Sequence, residues 1–125
     1  MQKIIASLAL ILALGLGMSN TASAEGKTYL RVIVVKTEDV SGYLHELDKG
    51  KGMMKRLGIS VQTRAWRATF AGPETGLLVV SQEYPSFAAF SAAAAKTADD
   101  PEFSQWLKNL DKLRKIASDS LYQEL

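Results

Sequence analysis

From Leu30 to Val35 the chain reads L-R-V-I-V-V, a β-branched run bounded by charge, which predicts a mostly buried strand. Thr37-Glu38-Asp39 follows with cap residues and acids suited to a helix start. Val40, Tyr43, Leu44, Leu47, Met54 and Leu57 then fall near helical spacing. Gly50 and Gly52 each weaken that helix by about 1 kcal/mol against alanine, so a kink or a second short helix is expected near Lys49–Gly52. Gly58 stands where a helix would end. Ile59 to Ala71 predicts a second strand, with Trp66 and Phe70 on one face. Gly72-Pro73-Glu74-Thr75-Gly76 is a compact turn and Leu77 to Tyr84 a third strand; a turn of this length joins the two as an antiparallel hairpin. Pro85-Ser86 opens a helix carrying Phe87, Phe90 and a run of alanines. Asp99-Asp100-Pro101-Glu102 opens another, whose apolar face runs through Phe103, Trp106, Leu107, Leu110, Leu113 and Ala117. Ser120 to Leu125 predicts a short closing strand.

The order is therefore β-α-β-β-α-β, with the second helical region split in two. This is a ferredoxin-like α+β arrangement: a four-stranded antiparallel sheet with helices on one face. The other face must be polar or covered. Both alternating sets of the first strand are substantially apolar, and the third strand turns polar only at Ser81, Gln82 and Glu83. A covered face follows, most simply covered by a second copy of the chain packed sheet to sheet.

The start of the chain changes the picture of where this domain works. Lys3, an apolar run from Ile4 to Leu16, and Ala22-Ser23-Ala24 have the three parts of a cleaved secretory signal peptide. Residues 1–24 are expected to be removed, leaving one domain over residues 25–125, periplasmic or secreted. The apolar run is shorter than the roughly 20 residues a membrane span needs, so no span is expected after cleavage. Lys3 is the only charged side chain removed, one of 15 basic residues, which leaves 14 against 13 acidic ones. Near-neutral charge gives no basic stripe for nucleic acid; Lys49, Lys51, Lys55 and Arg56 read as a solvated helix end. There is no cysteine and one histidine, which excludes thiol catalysis and any multi-histidine metal site within one chain. No metal and no cofactor is expected.

Several segments together resemble the dimeric α+β barrel superfamily, which includes NIPSNAP-like and antibiotic-biosynthesis-monooxygenase-like domains. They are the Leu30–Val35 strand, Leu57-Gly58, the stretch from Phe70 to Gly76, Glu83-Tyr84-Pro85-Ser86-Phe87, Asp100-Pro101-Glu102-Phe103 and Ser120-Leu121-Tyr122. The resemblance implies two sheets packed face to face as a barrel, with a cavity between sheet and helices able to hold a small molecule. The superfamily holds cofactor-free oxygenases, haem-degrading enzymes, haem peroxidases and proteins without assigned activity, and fold does not choose among them.

Candidate chemistry is sparse. His45 is the sole imidazole available as base or axial ligand, but its neighbours match no haem motif, and an exposed helical histidine is the plainer reading. No G-x-S-x-G elbow accompanies it, and Gly50-Lys51-Gly52 lacks the spacing of a phosphate loop. Tyr29, Tyr43, Tyr84 and Tyr122 offer hydroxyls. Arg31, Arg64, Trp66 and Glu83 are expected together at the sheet end away from the Gly72–Gly76 turn. There Arg31 or Arg64 pairs with Glu83 or with a ligand anion, and Trp66 offers a flat surface beside them. The same residues also suit an interfacial salt bridge with tryptophan packing inside the dimer. The sequence thus predicts a small-molecule-binding or accessory module. A cofactor-independent monooxygenase-like enzyme acting on a small aromatic or electron-rich substrate is the alternative, and a purely structural dimer a third reading.

Overall fold

The computed structural model describes residues 26–125; the expected signal peptide over residues 1–24 lies outside the described residues. Strand β1 (Tyr29–Lys36) leads into helix α1 (Val40–Arg56), then β2 (Gln62–Arg67), a 3-10 turn (Gly72–Glu74), β3 (Leu78–Tyr84), helices α2 (Phe87–Ala98) and α3 (Pro101–Asp111), and β4 (Lys115–Gln123). The strands form one sheet in the order β2-β3-β1-β4, every neighbour antiparallel. This is the ferredoxin-like α+β fold that the element order predicts.

Local chemistry starts and stops the helices. The Asp39 carboxylate accepts from the Gly42 amide at 2.9 Å, Ser86 Oγ from Ala89 at 3.0 Å, and Asp100 from Phe103 at 2.9 Å. Each bond satisfies an amide that the first helical turn leaves without a partner. Gly58, at φ 71°, adopts the left-handed conformation that ends α1, and the Ile59 amide returns to the Met54 carbonyl.

The core lies between the helices and one sheet face. Tyr43, Leu47, Gly50 and Met54 form the buried stripe of α1, and Phe103, Trp106 and Leu110 that of α3. They cover Ile33, Val35, Leu78 and Val80 of the central strands. Helix α1 runs unbroken through Lys49–Gly52, where a kink was expected. Gly50 instead lets Trp106 approach the helix backbone, since a methyl group there would overlap the six-membered indole ring. Trp106 Nε1 then donates to the Glu46 carbonyl at 2.9 Å.

Strands β2 and β4 differ from expectation, and β2 begins at Gln62 rather than Ile59. Strand β2 ends at Arg67 rather than Ala71. Beyond it the Ala68 carbonyl accepts from Gly76 and the chain rounds the 3-10 turn, leaving Phe70 99% exposed. Strand β4 begins at Lys115 rather than Ser120, so Ala117 belongs to it and not to the apolar face of α3. Its ladder with β1 runs from Lys36↔Lys115 to Tyr29↔Gln123, with a bulge between Val34 and Val35.

Candidate functional site

Side chains alternate across a sheet, so register decides what meets what. Arg31 lies directly opposite Gln82, and Ile33 opposite Val80, on the helix-covered face; Leu30 lies opposite Glu83 on the open face. In β2, Gln62 pairs with Glu83, Arg64 with Ser81 and Trp66 with Val79, which puts Arg64 and Trp66 on the open face with Glu83. Three of the four expected site residues are therefore brought together and the fourth is not. Arg31 points through the other side of the sheet, and the expected Arg31–Glu83 pairing does not form.

On the open face, Arg64, Trp66 and Glu83 line a shallow groove of about 320 Å³ floored by Leu30, Val32 and Val79. Trp66 is 50% exposed and its Nε1 donates to Ser81 Oγ at 2.8 Å. Among the described residues, neither Arg64 nor Glu83 has a side-chain hydrogen bond or ion pair.

On the helix-covered face lies a more enclosed cavity of about 340 Å³. Its floor is Ile33 and Val80 with three polar neighbours, Arg31, Gln82 and Tyr84. Its roof comes from Tyr43 and Leu47 of α1, Phe90 of α2, and Trp106 and Leu110 of α3. Tyr84 is buried and packs edge-on against Phe90, with ring centroids 5.3 Å apart. Burial pushes its phenol above the ordinary 10.0, and the nearby Arg31 guanidinium offsets this only in part. Tyr84 is thus a neutral hydroxyl at pH 7, able to donate or accept but not poised as a base.

Both arginines of the cavity carry a carboxylate partner. Arg114, with a side chain only 8% exposed, donates to Asp111 Oδ1 from Nε and Nη2 and to the Tyr43 hydroxyl from Nη1. Arg31 grips Asp119 of β4 from the side, Nε to Oδ1 at 2.9 Å and Nη2 to Oδ2 at 2.6 Å. The hydrogen bond from Arg31 holds the Asp119 carboxyl below its ordinary 3.8, against an opposing push from burial. A carboxyl depressed in the folded state adds stability above its unfolded value, and that stability is lost as pH falls through the folded value. The Asp119→Asn variant should therefore show a flatter acid limb below about pH 4 in urea denaturation followed against pH. At neutral pH its loss should stay within the roughly 0–1 kcal/mol of exposed pairs, since both partners are more than a third exposed.

The other candidates fall outside both sites. His45 is exposed on α1, off its buried stripe, and lines neither pocket. The basic cluster is largely paired: Lys49 with Glu46, Lys51 with Asp48, and Arg56 with Asp100 and Glu102. Among the described residues no helix is long and apolar enough to cross a membrane. Gln82, Arg114 and Asp119 belong to no motif visible in the sequence. The available signal was the β3 face Leu78, Val80, Gln82, Tyr84, in which an amide interrupts an otherwise apolar alternation.

A four-stranded antiparallel sheet of this order, with three helices over one face and a cavity beneath them, is a ferredoxin-like α+β arrangement. No family model and no curated protein matches the sequence. Solved structures carry the fold assignment. A NIPSNAP family protein from Agrobacterium tumefaciens superposes with TM-score 0.58 at 14% identity, over 79% of this chain and 83% of that one. SnoaB, a cofactor-independent oxygenase from Streptomyces nogalater, superposes in a mutant form with TM-score 0.53 at 16% identity, over 77% and 89%. A conserved protein of unknown function from Bacteroides thetaiotaomicron, described as a possible oxidoreductase, gives 0.56 at 5% identity, over 78% and 98%. At these identities the likeness is one of fold.

Proposed function

We propose that the protein is an exported, homodimeric small-molecule-binding module whose ligand occupies the cavity between sheet and helices. The observation that carries this reading is the cavity itself, about 340 Å³, apolar on most sides with a few polar groups on its floor. Its size is at the low end of the usual range, which suits a small ligand. Export rests on the Ile4–Leu16 run and the Ala22-Ser23-Ala24 site.

The dimer rests on the open sheet face. Leu30, Val32 and Val79 are only half-buried there, and Trp66 and Tyr122 stand exposed beside them. Native mass spectrometry of protein recovered from its host tests these points together. The expected species is a dimer of chains beginning at Glu25, with a small molecule retained per chain. A ligand-free monomer would overturn the reading.

Likeness to the oxygenase fold of SnoaB favours a second reading, a cofactor-independent monooxygenase-like enzyme acting on a small aromatic or electron-rich substrate. Such chemistry calls for a base beside the substrate. Tyr84 is held neutral, and the carboxylates of Asp111 and Asp119 are committed to arginines. The binding reading therefore has the better support. Oxygen uptake by the pure protein with an electron-rich phenol would reverse that order.

A further inference from the structure

The polar floor of the cavity has more donors than partners. Gln82 is 7% exposed and its side chain lines the cavity. Its Oε1 accepts a long bond of 3.4 Å from the Tyr84 hydroxyl, while its Nε2 bonds to no described residue. Arg31 is the cross-strand partner of Gln82, and directly opposed side chains on one face stand in contact range. Its Nε and Nη2 are committed to Asp119, and its Nη1 is uncommitted among the described residues. Two adjacent positions thus line the cavity with N–H groups that no described residue engages, one on the buried Gln82 and one on the partly exposed Arg31, and a ligand acceptor entering the cavity can take both.

Charge decides what kind of acceptor belongs there. Arg31 is balanced by Asp119 and Arg114 by Asp111, so the lining is close to neutral. An anionic ligand would have to compete with Asp119 or bring an uncompensated charge into a largely apolar space. A neutral acceptor satisfies the free donors without either cost. The geometry points to a neutral, mainly apolar ligand bearing a carbonyl group, its oxygen held between Gln82 Nε2 and Arg31 Nη1 and its ring system among Phe90, Trp106 and Leu110. This assignment rests on the reading of the cavity as a ligand site.

Three probes of similar shape separate the two: acetylnaphthalene, naphthoate and ethylnaphthalene, titrated by calorimetry into the protein as its host delivers it. The ketone should bind roughly tenfold tighter than the hydrocarbon, about 1.4 kcal/mol, and tighter than the carboxylate. The carbonyl stretch of the bound ketone, read by isotope-edited infrared spectroscopy on the unmodified protein, should move to lower frequency. Gln82→Met should remove most of the ketone's advantage, bringing the ketone and hydrocarbon affinities together. If the hydrocarbon binds as tightly as the ketone, the carboxylate binds tightest, or the carbonyl stretch does not move, the carbonyl assignment falls and the cavity reading stands. If none of the three binds, both fall.

Discussion

Replacing Gly50 with alanine is expected to destabilise the protein, although alanine is the better helix former. The change restores about 1 kcal/mol of helix propensity. Against this, the new methyl group meets the Trp106 ring, and forced overpacking of a core costs about 1–3 kcal/mol. Displacing Trp106 also weakens its bond to the Glu46 carbonyl, a loss of about 0.5–1.5 kcal/mol. The net is a loss of about 2 kcal/mol, which lowers the melting temperature of a domain this size by roughly 10 °C. Gly52→Ala, two residues along the same helix, is the control. Nothing lies within 4 Å of a Cβ there, so only the propensity gain remains and the melting temperature should rise. Thermal melts of the two variants should move in opposite directions. A shared rise would mean that Trp106 does not pack against the α1 backbone.

Gly50 shows why part of this fold was legible and part was not. The helix starts at Asp39 and Asp100 and the stop at Gly58 are local events, set by side chains within three residues of the bonds they make. They can be read from the chain. A mid-helix glycine reads locally as a weakness, yet its partner is an indole more than fifty residues away in sequence. The sequence shows only the end of β4 for a related reason. It is an edge strand exposed along most of its length, so Lys115-Ile116-Ala117-Ser118 shows no alternation, and only the ladder with β1 extends it.

The expected site divided for a reason of parity. Arg31 and Glu83 sit at the same end of adjacent strands, as expected, but Glu83 pairs with Leu30 and Arg31 with Gln82. One residue of register sends a side chain to the opposite face. Arg64, Trp66 and Glu83 share a face because the ten residues between Arg67 and Leu78 set the register Arg64↔Ser81; counting outward from strand ends at Ala71 and Leu77 would put Glu83 on the other face. Strand β1 reaches β3 only after α1 and β2 intervene, so counting along the chain does not give that register either. The cavity floor was legible in principle, since Arg31 continues the Ile33 and Val35 face just as Gln82 continues that of Leu78 and Val80.

The open face is where a single substitution should have its largest effect on assembly. Trp66 stands half exposed on the groove formed with Arg64 and Glu83, over half-buried Leu30, Val32 and Val79. If two copies meet through this face, Trp66 is the kind of large aromatic anchor whose loss costs about 2 kcal/mol or more. The Trp66→Glu change also puts a charge on this largely apolar face, which association would have to strip of water. Dimer affinity should fall by roughly a hundredfold, about 2.7 kcal/mol, and light scattering at micromolar concentration should report a single chain mass. The control is Arg67→Glu on the same strand. Arg67 pairs with Leu78 on the opposite face, so reversing its charge should leave the dimer mass unchanged. Acetylnaphthalene binding should also survive Trp66→Glu, because the cavity lies across the sheet from the groove. A Trp66→Glu protein that keeps twice the chain mass would show that this face is not the interface. Leu30, Val32 and Val79 would then need a different cover.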